Sequence, residues 1–446
     1  MTLVPPRITP PDRAPRGLAF LSTFVRNPLN VIPRAAYEED FVHGGDGGVS
    51  RAWITSPALV KAVLLDERDK FRKLAQIRLL GPLLGKGLLT SEGAEWKWQR
   101  QTAAPMFRPA ELMGYVPAFV KAAEGQLAAW RNGAPGAHPI DEDMTRLTFV
   151  IVCSTLLPTS DPKLANQIEE SVRTFQQSGG WGLLFAALGV PNWVPRPGAS
   201  SSRKTAITLR AAVGAMIRDR RDDGADNLMH RLMGARDPET GRAMDDEQLV
   251  DNLLTFYLAG HETTAKALTW TLFLLSRSPE WTAKLREEVD RVTQGARVGP
   301  EHIEKLVLVE QVVKEAMRLY PPVPMMSRQC VADVQLGEHA VKAGTSILMP
   351  IYTIHRHAKR WENPDAFDPT RFAPDREVPR YQYMPFGAGP RICIGMSFAL
   401  IEATAILATL LQSVSFSPAP GNEPVPVARV TLIPDNGMPL QVVPRR

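Results

Sequence analysis

A glycine-rich run at residues 386–395 constrains this chain more than any other segment, because it delivers Cys393 to the first turn of an apolar helix. Unpaired backbone N–H groups and the positive end of the helix dipole lie in such a turn, and both stabilise a thiolate and lower its pKa. Gly389 and Gly395 lack side chains where a flat cofactor would approach, and Arg391 can pair with an anionic group of that cofactor. The run predicts a cofactor ligand; the alternative is a tight turn that holds a buried cysteine.

A second unusual segment, at residues 259–264, falls in the middle of the longest predicted helix. Gly260 costs roughly 1 kcal/mol there relative to alanine. Thr263 and Thr264 can donate to the carbonyl groups of Ala259 and Gly260, which bends a helix and leaves room for a small ligand or water. Glu262 places an acid beside these hydroxyls. The pattern predicts a small-molecule site, and the alternative is a polar kink in a core helix.

The composition narrows the class of protein. The 446 residues include 52 basic and 47 acidic side chains, and the excess of +5 is interspersed, so nucleic-acid binding is not expected. Three widely spaced cysteines, Cys153, Cys330 and Cys393, form neither a disulfide framework nor a zinc motif. We find no signal peptide and no run of 18 apolar residues, so we expect a soluble cytoplasmic protein without a membrane anchor.

The apolar periodicity predicts a mainly α chain with a minor β portion, in one domain over residues 1–446. The proline-rich residues 1–45 are expected to pack on that domain, and the glycine-rich residues 74–94 to form an irregular loop. The predicted elements are a strand at 49–55, a short helix at 57–66, helical stretches over 95–185 and 203–234, helices at 245–277, 301–319 and 393–413, and short strands at 322–350 and after 413.

Together and in this order, the motifs resemble those of the cytochrome P-450 family of heme-thiolate monooxygenases, in its soluble bacterial form. Residues 386–395 match FxxGxRxCxG at every defined position, residues 259–264 match AGxxT, and Glu315 with Arg318 matches ExxR. The resemblance spans residues 49–438. It implies the triangular, mostly helical fold of that family, with heme b between the long central helix and the cysteine-loop helix.

The resemblance also assigns roles at the heme. It makes Cys393 the axial ligand of the heme iron, and Thr263 the residue that delivers protons during O₂ activation, with Glu262 as its acidic neighbour. The other residues expected to bind the cofactor are Trp96, Arg100, Arg328, Arg391, Phe386, Ala259, Gly260 and Gly395.

A structural cluster is implied at some distance from the chemistry. Glu315 and Arg318 share one helix face at i and i+3, and the family completes this pair with the arginine of a PxRF segment, here Arg371. Thr370 stands where the family often has an acid. The expected role of the cluster is to hold the cysteine loop. His355 and His357 are expected to be structural, with metal binding as the alternative.

The implied reaction inserts one oxygen atom of O₂ into a hydrophobic substrate. The chain has no flavin or nicotinamide motif, so a separate ferredoxin with its reductase, or a flavodoxin, is expected to supply electrons to a monomer. We expect that partner to dock near Lys97 and Arg108, on the cysteine side of the heme. The alternatives are a peroxide-using or non-oxygenating heme-thiolate enzyme and a heme-based binding or sensor protein.

The substrate pocket is predicted from apolar segments, because apolar walls select apolar ligands and methionine makes a wall adaptable. We expect a medium or large hydrophobic substrate: a fatty acid, terpenoid, steroid or aromatic compound. The residues predicted to line the pocket are Leu79, Leu80, Leu83, Met325, Met326, Leu432 and Ile433.

Overall fold

The computed structural model describes residues 3–46, 49–133, 136–156, 179–195, 198–219, 227–237 and 239–445. Helices dominate these ranges and strands are a minority, which confirms the predicted fold class. The helices are α1 (Gly17–Arg26), α2 (Pro57–Lys61), α3 (Leu74–Leu84), α4 (Gly93–Ala103), α5 (Pro109–Leu112), α6 (Val116–Asn132), α7 (Ile140–Thr155), α8 (Gly179–Ala187), α9 (Ala199–Asp219), α10 (Leu228–Gly234), α11 (Asp246–Ser276), α12 (Pro279–Thr293), α13 (Pro300–Ile303), α14 (Val307–Leu319), α15 (Ile351–Ile354) and α16 (Met396–Ser413).

The strands form small sheets at the edge of the helical body. They are β1 (Phe41–Asp46), β2 (Val49–Ile54), β3 (Phe71–Arg72), β4 (Ala137–Pro139), β5 (Met326–Cys330), β6 (Val334–Leu336), β7 (His339–Val341), β8 (Ser346–Met349), β9 (Val414–Pro418), β10 (Pro426–Ala428), β11 (Leu432–Pro434) and β12 (Pro439–Pro444). The largest sheet has the order β1-β2-β8-β5-β3, in which only β2 and β8 run parallel. A second sheet has the order β4-β12-β9, and β6–β7 and β10–β11 are antiparallel pairs.

The long helix α11 forms the centre of the molecule. Asp245 caps it through a capping box with Gln248, whose backbone N–H donates to Oδ1 of Asp245 at 2.8 Å. The helix packs against α7, α14, α16 and α9. Almost all of it is therefore buried, but the burial is interrupted at Ala259, which is exposed, and at Gly260 and Thr263, which are partly exposed.

Helix α3 corrects the prediction of an irregular loop over residues 74–94. Pro82 lies inside its last turn and has no N–H for the carbonyl of Arg78. The side chain of Asn192 donates to that carbonyl at 3.2 Å, so a distant residue replaces the missing helical bond. The helix ends at Gly85, whose φ of +54° suits glycine.

Asp251 of α11 secures the chain that follows α3. Its Oδ2 accepts from the backbone N–H of Lys86 at 2.6 Å, and its Oδ1 accepts from Nη1 of Arg210 on α9 at 2.6 Å. A Cβ on Gly85 would lie 2.2 Å from this carboxylate, so glycine is required there for close approach as well as for its φ.

Two further predicted helices have different bounds in the structure. The helix predicted over 301–319 is divided into α13 and α14, and the last helix begins at Met396 rather than at residue 393. Among the described residues, α16 alone is long and apolar enough to cross a membrane, but 67% of it is buried inside the protein, as in a core helix. The predicted helical stretches over 95–185 and 203–234 divide into separate helices, and their residues 157–178 and 220–226 lie outside the described residues.

The N-terminal segment lies against the helical body. The hydroxyl group of Tyr320 donates to the carbonyl of Pro6 at 2.6 Å, and the backbone N–H of Ile8 donates to the hydroxyl of Tyr352 at 3.1 Å. Both tyrosines are fully buried, so the segment covers the end of α14 and the start of α15.

Candidate active site

The cysteine loop reaches α16 through a tight backbone path. The N–H of Cys393 donates to the carbonyl of Phe386 at 2.9 Å, and Gly387 and Gly389 both have a φ of +72°. A Cβ on Gly389 would lie 2.9 Å from the carbonyl oxygen of Leu64. The backbone of a neighbouring turn therefore requires glycine at position 389, and the prediction that this glycine makes room for a cofactor stays a prediction.

Cys393 stands three residues before α16 and has an exposed side chain. Burial of the surrounding loop raises the pKa of its thiol, while the N–H of Gly395 and the guanidinium of Arg100 act to lower it. The prediction of a lowered pKa was wrong for the protein without a cation, because the effect of burial outweighs those of Gly395 and Arg100. A bound metal cation is what deprotonates a coordinating thiol.

The centre of α11 presents its two threonines to different partners. Thr263 donates its hydroxyl to the carbonyl of Ala259 at 2.6 Å, as predicted. Thr264 was expected to bond the carbonyl of Gly260, but its hydroxyl pairs instead with Glu402 of α16. Burial raises the pKa of Glu402 to about 8, although this hydroxyl acts to lower it. Glu402 is a buried acid that the sequence motifs did not predict.

Glu262 is also held by a residue that the sequence analysis missed. Its Oε1 accepts from the hydroxyl of Thr431 at 2.6 Å, and both side chains are buried. His261 turns away to α7, where Nε2 lies 3.1 Å from the carbonyl of Thr145. Burial, followed by the charge of Lys266, lowers the pKa of His261 to about 4, so its ring is neutral near pH 7.

Glu315, Arg318 and Arg371 lie together, and we call them the glutamate cluster. Nε and Nη2 of Arg318 donate to the two oxygens of Glu315 at 2.7 and 2.8 Å, and both side chains have no exposed surface. Nε of Arg371 lies 3.6 Å from Oε1 of Glu315, which also accepts from the N–H of Asp368 at 2.8 Å. Arg318 further donates to the carbonyls of His355, Pro364 and Ala366 at 2.6–2.8 Å, so all five of its N–H groups have acceptors.

His355 connects the glutamate cluster to the cysteine loop. Its Nε2 accepts from the N–H of Met384 at 2.9 Å, and its Nδ1 lies 3.2 Å from the carbonyl of Arg318. Burial and the nearby charge of Arg318 lower its pKa to about 3. The ring is therefore neutral, with the proton on Nδ1, and both nitrogens are engaged. This occupation contradicts the alternative of metal binding through His355.

A second group of charges forms what we call the cation cluster: Lys73 and Arg328 are buried, and Arg391 is partly buried. Burial lowers the pKa of Arg328 and of Arg391 to about 10 each, and burial together with these two arginines lowers that of Lys73 to about 7. The acid that acts on all three is Glu92, which also accepts from the N–H of Lys73 at 3.1 Å.

The cation cluster adjoins the cysteine loop and the start of α4. Arg391 lies over the ring of Trp96 at 4.3 Å and donates to the carbonyl of Ser91 at 2.9 Å. A cavity of about 600 Å³ beside it is lined in part by Ser91 and Glu92. Lys73 was not predicted, because nothing in its local sequence distinguishes it from a surface lysine.

Arg100 lies apart from this cluster. Its Nη1 donates to the carbonyl of Ile392 at 2.8 Å, beside Cys393. Burial lowers its pKa, and the cysteine acts in the opposite direction. In the structure Arg100 thus supports the cysteine loop, and its predicted contact with the cofactor stays a prediction.

The predicted pocket residues divide into two groups. Leu79, Met325, Met326 and Ile433 are partly accessible. Leu80, Leu83 and Leu432 are 7%, 1% and 0% exposed and belong to hydrophobic core clusters, so the prediction that they line a pocket is not supported. The alternation of β11 explains the last case, because adjacent residues of a strand point to opposite faces.

This arrangement of donors fits heme b. A thiol with an exposed surface offers a soft ligand for iron. Ala259 and Gly260 are small and accessible on a helix that is otherwise buried. The cation cluster has fewer acids than bases and suits the carboxylates of a propionate-bearing cofactor. The described residues contain no group of three or more His, Cys, Asp and Glu that could hold a bare metal ion.

Comparison with known proteins agrees with this fit. A family model described as Cytochrome P-450 matches residues 36–440. The cyclooctat-9-en-7-ol 5-monooxygenase of Streptomyces melanosporofaciens is 33% identical over 380 residues, which are 84% of this chain and 82% of that protein. Cyclooctatin synthase of the same organism is 32% identical over 440 residues, or 97% and 95% of the two chains.

A plant relative, the cytokinin hydroxylase of Arabidopsis thaliana, is 29% identical over 411 residues, or 90% of this chain and 80% of that protein. The first relative is named as a monooxygenase and the plant relative as a hydroxylase, and the cofactor of the family is heme b. The chain belongs to the cytochrome P-450 family and is a heme-dependent monooxygenase.

Proposed function

We propose that this monooxygenase hydroxylates a hydrophobic molecule with electrons from a separate redox partner. The balanced reaction is RH + O₂ + 2e⁻ + 2H⁺ → ROH + H₂O. Bound heme supplies the site at which O₂ is reduced, and the thiolate favours cleavage of the O–O bond. The observation that carries the proposal is the conjunction of an accessible cysteine with a hydroxyl and an acid at the centre of α11.

In this proposal the cation cluster and Trp96 hold the propionates. Arg328 is buried and Arg391 partly buried, and the two cations share one acid, so an incoming carboxylate would gain strong charge-assisted hydrogen bonds. Lys73 joins them as a third donor. Cys393 is the iron ligand, and Arg100 stabilises its negative charge from the side of Ile392.

Proton delivery is assigned to Thr263 and Glu262. The hydroxyl of Thr263 already donates to the carbonyl of Ala259, so its oxygen is held with its lone pairs available to accept a proton donor. Thr263→Ala should still consume electrons but should release more peroxide and less product. Its matched control is Thr264→Ala, which removes the neighbouring hydroxyl that points to Glu402. An unchanged product-to-electron ratio in Thr263→Ala would contradict the role.

The ligand assignment is tested by the reduced carbon monoxide complex. Thiolate ligation gives a strongly red-shifted Soret band, which Cys393→His should lose even where it retains heme. Cys153→Ser and Cys330→Ser are matched controls, because both remove a thiol elsewhere in the chain. Loss of the band in either control would show that Cys393 is not the ligand.

The proposed substrate is medium or large and mainly apolar. The partly accessible residues Leu79, Met325, Met326 and Ile433 are all apolar. Two relatives carry the names of cyclooctat-9-en-7-ol and 11-oxo-beta-amyrin, which supports this class. Dodecanoic acid, farnesol, progesterone and naphthalene can be titrated for a shift of the heme absorption band. The class would be wrong if none shifts the band and polar compounds do.

Electrons are proposed to enter near Lys97 and Arg108, which are exposed on and after α4. An acidic ferredoxin would be steered to this face, and the steering would be screened over about 8 Å at physiological salt. Reduction should slow as salt rises, and Lys97→Glu should slow it further. Lys204→Glu, on α9, makes the same change of charge elsewhere and should have little effect. Equal rates in all three proteins would place the docking face elsewhere.

A further inference from the structure

Glu262 and Thr263 are neighbours in sequence but do not face the same direction. Consecutive side chains on an α-helix diverge by about 100°, since each turn has 3.6 residues. Thr263 is partly accessible, whereas the side chain of Glu262 is 7% exposed and reaches the C-terminal part of the chain. For the acid to serve the hydroxyl, its carboxylate must therefore be held in a defined rotamer.

One contact that holds it is the hydroxyl of Thr431. The distance from Oγ1 of Thr431 to Oε1 of Glu262 is 2.6 Å, within the range of a charge-assisted O–H···O⁻ bond. Thr431 is 2% exposed, so water has little access to compete for the bond. A donated hydrogen bond also favours the ionised form of the carboxyl group.

Thr431 is itself fixed relative to α11. Its carbonyl accepts from the N–H of Arg429 at 2.8 Å, and the N–H of the next residue, Leu432, donates to the carbonyl of Pro322 at 2.9 Å. The carbonyl of Leu432 accepts from Nε1 of Trp270 at 3.0 Å. Trp270 lies eight residues after Glu262 on the same helix. Two side chains of α11 are therefore hydrogen-bonded to this short segment, Glu262 to Thr431 and Trp270 to Leu432.

We propose that Thr431 is a positioning residue for proton delivery, because it fixes the carboxyl group of Glu262 that serves Thr263. The inference rests on the proposed function of the Glu262–Thr263 pair. Thr431 touches neither substrate nor cofactor in this scheme. It acts through Glu262, and it makes the segment before β11 a part of the proton-delivery apparatus.

The test compares Thr431→Val with Thr431→Ser. Valine keeps the branched shape and removes the hydroxyl, whereas serine keeps the hydroxyl. With the probe that gives the largest band shift among the four named above, and a ferredoxin with its reductase, Thr431→Val should lower the ratio of product to electrons about threefold to tenfold, as for the loss of one hydrogen bond of ordinary strength. The balance should appear as peroxide, O₂ + 2e⁻ + 2H⁺ → H₂O₂. Thr431→Ser should restore the ratio.

A purely structural role would not move the pH profile. Because a donated hydrogen bond favours the ionised carboxylate, the pH at which the product-to-electron ratio changes should move upward in Thr431→Val and stay in place in Thr431→Ser. In a Glu262→Gln background, Thr431→Val should have no further effect. If Thr431→Val fails to bind heme, Thr431→Ala against Thr431→Ser gives the same comparison.

The failures are distinguishable. If Thr263→Ala and Glu262→Gln lower the ratio but Thr431→Val and Thr431→Ala do not, the inference is overturned and the proposed function stands. If Thr263→Ala and Glu262→Gln leave the ratio unchanged, the proposed function of the pair fails first. An effect of Thr431→Val that persists in full without Glu262 would also overturn the inference.

Discussion

The glutamate cluster and the cation cluster are both buried groups of charges, yet they differ in completeness. In the glutamate cluster one carboxylate lies between two arginines, and every N–H of Arg318 has an acceptor in the polypeptide. In the cation cluster three bases share Glu92, and their pKa values are all lowered by burial; Arg391 further lowers those of Lys73 and Arg328, and Arg328 lowers that of Lys73.

The difference indicates what each cluster stabilises. A buried charge is costly unless it is paired and hydrogen-bonded. The polypeptide alone supplies every partner of Arg318 and pairs Glu315 with two arginines, so the glutamate cluster should contribute to the stability of the fold. An added anion completes the cation cluster, so that cluster should contribute to retention of the cofactor. In the apoprotein, which lacks the anion, the same cluster should lower the stability of the fold.

The largest effect is expected in the glutamate cluster. Glu315→Ala strands Arg318 without its carboxylate and should cost about 3–5 kcal/mol of the free energy of unfolding. The control is Glu280→Ala, which breaks the exposed pair with Lys284 and should cost less than about 0.5 kcal/mol. Urea denaturation measures both. Equal midpoints for the two variants would refute the structural role of the cluster.

In the cation cluster, Arg328→Met and Arg391→Met should separate stability from cofactor retention. Each removes a buried positive charge that repels its neighbours, so the apoprotein should be as stable as the parent or more stable. Heme loss to apomyoglobin should accelerate at least about tenfold, which corresponds to about 1.4 kcal/mol. If these variants lost as much stability as Glu315→Ala and kept their heme, the two clusters would not differ in what they stabilise.

The lowered pKa of Lys73 predicts that the stability of the apoprotein depends on pH. Its pKa falls from 10.5 to about 7 in the folded apoprotein, so between these values the unfolded chain binds more protons than the fold does. Apoprotein stability should therefore rise with pH from about 7 to 10, by at most about 1.4 kcal/mol per pH unit. Lys73→Met should remove that component, and bound heme should reduce it. A pH profile that is identical in Lys73→Met would contradict the shift.

Glu402 provides the opposite sign. Its pKa rises from 4.5 to about 8 in the fold, so the folded protein binds more protons between these values and stability should fall as pH rises through them. The slope should again be at most about 1.4 kcal/mol per pH unit, because a single proton is involved. Glu402→Gln should flatten this part of the curve. A steeper fall in Glu402→Gln than in the parent would contradict the assignment.

The sequence predicted the parts of the site that depend on short spacings. Cys393 in its loop, Thr263 on the central helix and the pair of Glu315 with Arg318 all follow from local patterns. Thr431 could not be predicted, because its partner lies 169 residues away and hydroxyl residues are common near strands. Lys73 likewise becomes distinctive only when β3 and β5 bring it near Arg328.

The errors in the fold have the same origin. Residues 74–94 were predicted to be irregular because of their glycines, but residues 74–84 form α3, in which the bond from Asn192 that compensates for Pro82 joins residues 114 apart. The contact of Leu64 that requires glycine at position 389 is likewise invisible in the local sequence. Local patterns identify what a residue can do, and distant contacts decide which of those options is used.

The bond from Met384 to His355 has a consequence for the order of folding. One ring nitrogen of His355 faces the carbonyl of Arg318 at the end of α14, and the other accepts from the cysteine loop. Contacts between distant parts of a chain form late, because loop-closure entropy opposes them until other contacts are present. We therefore expect the cysteine loop to become ordered only once α14 has docked, and hydrogen exchange at the amide of Met384 measures how often the bond between the two opens.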